Sequence, residues 1–205
     1  MYNTGVTQEN QKIETVSRVG GAMKGTDLVF VDTETTGLDP KVHELIDIGF
    51  VRVKQTWHDT ENPEFAVVEE WSQKIRPLHI EVADPVSLKI NGYTVTGWND
   101  AVTLEVAMKE FAQKVAGGIM VAHNVSFDAG FLDMAFSKCG IPNPMHYHRL
   151  DTVSMAYAKL HNTPDVTRFS LGELCKYFSI ENHSAHSALS DAKACFLLFR
   201  KLMSL

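Results

Sequence analysis

The chain has 205 residues, 44% of them hydrophobic and 21% charged, with a formal net charge of −6. That length suits one substantial domain, and the acidic balance argues against a protein that coats nucleic acid through a basic surface, without excluding an enzyme that acts on it. There is no apolar run long enough for a membrane span and no basic start followed by an apolar segment, and Cys139, Cys175 and Cys195 are too far apart for a CxxC pair. A cytoplasmic protein with reduced thiols and no membrane partner is expected.

Residues 1–26 are polar and punctuated by Gly20, Gly21 and Gly25, and read as an N-terminal extension ahead of a domain over 27–205. Leu28-Val29-Phe30-Val31 is a short apolar run entering a turn at Thr36-Gly37, so a buried strand is expected there. Leu45 to Val53 and Phe65 to Ile75 have β-branched, alternating character, which makes three early strands, antiparallel neighbours. The acidic stretch between them, within Arg52 to Trp71, is longer than a tight hairpin needs and reads either as a loop or as a segment that steers a partner.

Asp84-Pro85 has the form of an N-cap followed by proline at the first helical position, and Asn91-Gly92 ends that short helix. Leu104, Ala107, Met108, Phe111 and Val115 recur on one helical face before Gly117-Gly118 stops it. A strand over Ile119 to Ala122, a helix over Phe127 to Phe136 and a short strand near Tyr147 to Leu150 follow. Helices near Thr152 to Leu160, Leu171 to Phe178 and Ala188 to Met203 close the chain. Strands first and alternating helix and strand afterwards imply an α/β domain, a mixed sheet flanked by helices.

Three clusters carry candidate chemistry, and each alone has an ordinary reading. Asp32 and Glu34, two apart at a strand end, point to one face, where two carboxylates repel unless a cation lies between them; such a pair is also common at solvated strand edges. In HNVSFDAGFL (123–132), Asp128 falls where a strand hands over to a helix, either as a site residue or as a complement to the helix dipole. HSAHSALSD (183–191) offers two histidines suited to proton transfer, or two surface histidines, ahead of Asp191.

Taken together, DTE at 32–34, HNVSFD at 123–128 and HSALSD at 186–191 occur in the order and spacing of a known pattern. The chain resembles, over roughly 27–203, the DnaQ-like or DEDDh family of 3′–5′ exonucleases, which includes the proofreading exonucleases of bacterial DNA polymerase III. The resemblance implies a ribonuclease H-like fold with a mixed five-stranded sheet. It implies that Asp32, Glu34, Asp128 and Asp191 hold two divalent ions, Mg²⁺ or Mn²⁺, and that His186 is the general base. The family's last motif is HxAxxD, which fits from His186 and fails from His183, where Ala188 would occupy the aspartate's place.

By the same resemblance Glu34, Thr35, Thr36 and Leu38 meet the terminal nucleotide, with Leu38 as a wedge. Asn124 and Phe127 either line the site or serve as a capping amide and a core aromatic, and Asp151 after a short strand is read as a helix cap. The implied reaction is removal of nucleoside 5′-monophosphates from a single-stranded DNA 3′ end, with a DNA polymerase or another replication or repair subunit as partner. An exoribonuclease of the RNase T or oligoribonuclease type and a nonenzymatic nucleic-acid-binding subunit are the competing readings. HELID at 43–47 lacks the second histidine of a zinc protease, and HYH at 146–148 lacks a third ligand and reads as surface.

Overall fold

The computed structural model describes residues 22–58, 63–182 and 187–205. Five strands, β1 (Leu28–Thr35), β2 (Leu45–Trp57), β3 (Pro63–Lys74), β4 (Ile119–Ala122) and β5 (Arg149–Asp151), form one sheet in the order β3-β2-β1-β4-β5. The first three are antiparallel neighbours, whereas β4 pairs parallel with both β1 and β5. The sheet is therefore mixed, as the order of elements implies. The helices are α1 (Pro85–Ile90), α2 (Leu104–Val115), α3 (Val125–Lys138), α4 (Thr152–Leu160), α5 (Leu171–Tyr177) and α6 (Ala188–Met203).

Alternation along β1 divides the core in two. Val29 and Val31 face one side and pack with Met108 and Phe111 of α2 and Leu132 of α3. Leu28 and Phe30 face the other and meet Ala192, Cys195, Phe196 and Phe199 of α6. Each large side chain buried in this way contributes roughly 1.5–3 kcal/mol relative to exposure, so β1 is held from both faces. All three cysteines are free, and Cys175 and Cys195 are buried.

Local chemistry sets the helix ends. Asp84 accepts the N–H of Val86 ahead of Pro85, and Thr103 accepts that of Val106 at the start of α2. Gly117, at φ 73, stops the chain after α2. At the N-terminal border Gln55 Nε2 donates to the carbonyls of Met23 and Thr26, both at 2.6 Å, tying residues just before β1 to β2. Residues 1–21 of the expected extension lie outside the described residues.

Two expectations are corrected. The stretch Arg52 to Trp71 is mostly strand, not loop: β2 and β3 stay paired from Asp47 opposite Lys74 out to Trp57 opposite Pro63. Glu64, Glu69 and Glu70 sit on β3, an edge strand, where charge discourages pairing with another chain. His146 is buried, not superficial; its N–H donates to the Gly118 carbonyl, and its Nδ1 accepts the N–H of His148.

Candidate active site

The chemistry gathers where β1 ends. Asp32 and Glu34 continue the face that carries Leu28 and Phe30, so they too point towards α6. That helix can lie close because β2 has Gly49 beneath its first turn: a Cβ there would stand 2.1 Å from the Leu189 nitrogen. Asp191, in the same first turn, is thereby brought to the strand, and ligand oxygens of Asp32, Glu34 and Asp191 all lie within 4.8 Å of one another.

Asp128 arrives from the opposite side of the sheet. Thr33, pointing the other way from its neighbours, donates through Oγ1 to Asp128 Oδ1 at 2.8 Å. The position of α3 is fixed by its entry. Asn124 takes the left-handed conformation, φ 69, and its N–H and that of Val125 donate to Asp151 Oδ1. The same carboxylate accepts the N–H groups of Val153 and Ser154 and the Ser154 hydroxyl, so one residue at the end of β5 caps two helices.

Asp151 is thus the helix cap expected of it, whereas the Asn124 side chain caps nothing and is exposed. Phe127 is partly buried against the core, with its ring 5.1 Å from that of Phe131. His123 bridges Thr152 Oγ1 and the Phe169 carbonyl, and burial lowers its proton affinity.

The turn after β1 is densely hydrogen-bonded. Thr35 Oγ1 donates to the Gly37 carbonyl at 2.7 Å, and Thr36 Oγ1 accepts the Glu44 N–H at 2.8 Å, so both hydroxyls are engaged inside the turn. Gly37 faces the His43 ring, 2.2 Å from where a Cβ would be. Asn91, at the end of α1, donates to the Thr35 carbonyl at 2.9 Å, and the Asp84 N–H donates to that of Thr36. Leu38, by contrast, is 74% exposed at the tip.

The electrostatics are those of carboxylates crowded out of water. Burial, then the charges of Asp128, Asp191 and Glu34, hold Asp32 well above the usual carboxylate range. Burial and the Asp191 charge push Glu34 up to about 8, and burial pushes Asp128 up to about 7. Oxygen donors in such a cluster match hard divalent cations, which remove the repulsion that otherwise favours protonation. The donor set therefore fits the ions that the resemblance implies.

His186 and His183 lie outside the described residues, which resume at Ser187 just before α6. Three residues near the cluster carry roles that sequence reasoning did not assign. Asp47 sits opposite Glu34 on β2, is pushed up to about 6 by burial, and accepts the Ala188 N–H at the start of α6. Asn91 braces the turn, and Asn182 donates to Asp191 at 2.5 Å. Only HELID marked the first of these, and its interest lay in a zinc pattern that fails.

The exonuclease family model RNase T matches residues 29–199. The chain belongs to this exonuclease family. Among curated relatives it is 30% identical, over 85% of its own length, to a PolC-type DNA polymerase III of Oceanobacillus iheyensis, and 32% identical over 81% to that of Lactococcus lactis subsp. lactis. It spans only 11% and 9% of those two proteins. Among solved structures, E. coli exonuclease I in complex with a dT13 oligonucleotide superposes with a TM-score of 0.71 at 19% identity, covering 86% of this chain and 41% of that one. This likeness shows the ribonuclease H-like fold. No helix among the described residues is long and apolar enough to cross a membrane.

Proposed function

We propose that residues 27–205 form a metal-dependent 3′–5′ exonuclease domain that shortens single-stranded DNA and releases nucleoside 5′-monophosphates. The observation that carries this reading is the approach of Asp32, Glu34 and Asp191 to within 4.8 Å in a chain of the exonuclease family. Asp32, Glu34, Asp128 and Asp191 would hold two divalent ions, Mg²⁺ or Mn²⁺. Such ions supply charge stabilisation to the attacking and leaving oxygens of an in-line displacement and acidify water.

The chain's own part is to position and to move protons. His186 takes the proton of the attacking water; the new P–O bond forms as the bond from phosphorus to the 3′-oxygen of the penultimate nucleotide breaks, and that oxygen takes a proton from solvent as it leaves. Asp128 is steadied by the Thr33 hydroxyl so that it stays in place as the phosphate charge shifts. The locked turn after β1 offers the exposed Leu38 as a wedge against the terminal base, with Glu34 and the backbone of Thr35 and Thr36 towards the terminal sugar and Asn124 and Phe127 along the α3 side.

DNA is preferred over RNA because the matched relatives are DNA polymerases and the superposed nuclease carries a deoxyoligonucleotide. A polymerase or another replication or repair subunit is the partner this suggests, and the free cysteines suit the reducing cytoplasm. The test incubates 3′-labelled and 5′-labelled single strands of DNA and RNA with Mg²⁺, Mn²⁺ or chelator, for the unaltered chain, Asp32→Ala and His186→Ala. Stepwise shortening of DNA from the 3′ end, abolished by chelator and by Asp32→Ala, is expected. Internal cuts or full activity in Asp32→Ala would overturn the proposal; binding without cleavage would make the chain a nonenzymatic module, and preference for RNA an exoribonuclease.

A further inference from the structure

Asp191 is the carboxylate of the close trio that comes from a helix, and the sheet alone does not fix its rotamer. The segment leaving α5 reaches it from the side. After Tyr177 the chain turns through Ser179 in the left-handed region, φ 54, and the Ile180 N–H returns to the Cys175 carbonyl at 2.8 Å. Phe178 and Ile180 pack into the apolar cluster of Leu174, Leu198 and Leu202, which docks this turn on α6. Asn182 follows two residues later, carried by a braced turn.

Both ends of its amide are used. Asn182 Nδ2 donates to Asp191 Oδ1 at 2.5 Å, and the Ser190 hydroxyl donates to Asn182 Oδ1 at 2.7 Å. An ionised carboxylate only accepts, so the nitrogen must face Asp191 and the oxygen must face Ser190. Turning the amide over would set its oxygen against the Asp191 carboxylate and lose that bond, even though the Ser190 hydroxyl could accept from the nitrogen instead. The amide brings a donor to a carboxylate that lies beside those of Asp32 and Glu34, and it adds no charge to the cluster.

We propose that Asn182 is a positioning residue for the ion-holding cluster, fixing the Asp191 carboxylate in the orientation in which it meets Asp32 and Glu34. This rests on the reading that those carboxylates hold a divalent ion. Partners that orient a metal-holding side chain typically cost about 10–100-fold in metal affinity or activity when removed. Asn182→Ala is expected to fall in that range, with the concentration of Mn²⁺ for half-maximal cleavage rising by the same factor and KM for DNA unchanged. Ser190→Ala, which frees only the far end of the amide, weakens binding less. Asn182→His, with Nδ1 where the amide nitrogen stood, recovers part of the loss.

The test is calorimetric titration of the full chain with Mn²⁺, alongside melting in chelator. If the unaltered chain binds Mn²⁺ in an Asp32-dependent way and Asn182→Ala binds equally well, the assignment of Asn182 falls and the site reading stands. If the unaltered chain binds no Mn²⁺, the site reading falls and Asn182's role with it. Should Asn182→Ala not fold, Ser190→Ala decides: unchanged Mn²⁺ affinity overturns the proposal, and a reduced one that chelator melting does not mirror supports it.

Discussion

The interface between β1 and α6 has two halves built on one repeat. Towards its start Leu28 and Phe30 meet Phe196 and Phe199, with the Phe30 ring 5.0 Å and 5.2 Å from theirs. Two residues further along the same strand face, Asp32 and Glu34 meet Asp191 of the same helix. The apolar half holds helix to strand by burial. The acidic half opposes that hold, because buried like charges favour protonation or separation. The aromatic contact opposes that separation by holding α6 against β1, and Gly49 lets the helix lie close.

The largest effects should separate the halves. Asp32→Ala is expected to cost about 10³-fold in cleavage rate while leaving the chelator-treated protein at least as stable as before, since one repelling charge is gone. A loss of cleavage accompanied by a lower melting temperature would mean that Asp32 has a structural role. Phe30→Ala should do the reverse, destabilising by about 3–5 kcal/mol in denaturant titrations. The fraction that remains folded should keep most of its activity.

A titration of stability with pH sharpens the contrast. Glu34 is pushed up to about 8 and Asp128 to about 7 in the folded chain, from ordinary values of 4.5 and 3.8. The folded state therefore keeps protons that the unfolded state has released, and without divalent ions stability falls as pH rises from roughly 4 to 8. Saturating Mg²⁺ should flatten that slope. A metal-free protein whose melting temperature rises over the window would contradict the acidic cluster.

Smaller effects lie outside the interface. Asp151→Ala removes one cap from each of α3 and α4, each worth about 0.5–2 kcal/mol, and should weaken cleavage through the position of Asp128; parallel melting and activity assays measure both. His183→Ala should leave cleavage nearly unchanged, and a loss there that His186→Ala does not show would reverse the assignment of the base.

Much of this was legible in the sequence because it rests on local rules. The apolar run at 28–31, the Asp84-Pro85 start and the Gly117-Gly118 stop each act through their own backbone, and strand alternation alone puts Asp32 and Glu34 on one face. The lengths of β2 and β3 were harder to read, since an edge strand exposes every other residue and its polar half resembles a loop. The burial of His146 depends on the carbonyl of Gly118, far away in the chain. Asp47 and Asn182 were invisible for a related reason. One needs the register that sets it opposite Glu34, the other a turn that ends at Asp191.

Gly49 contributes no functional group, yet it works as the gauge between strand and helix. With no side chain there, the first turn of α6 rests directly on the β2 backbone. Any thicker residue would act as a shim, lifting one wall of the acidic cluster away from the other. The separation of Asp191 from Asp32 and Glu34 thus depends on Gly49, the ladder partner of Asp32, which contributes no side chain of its own.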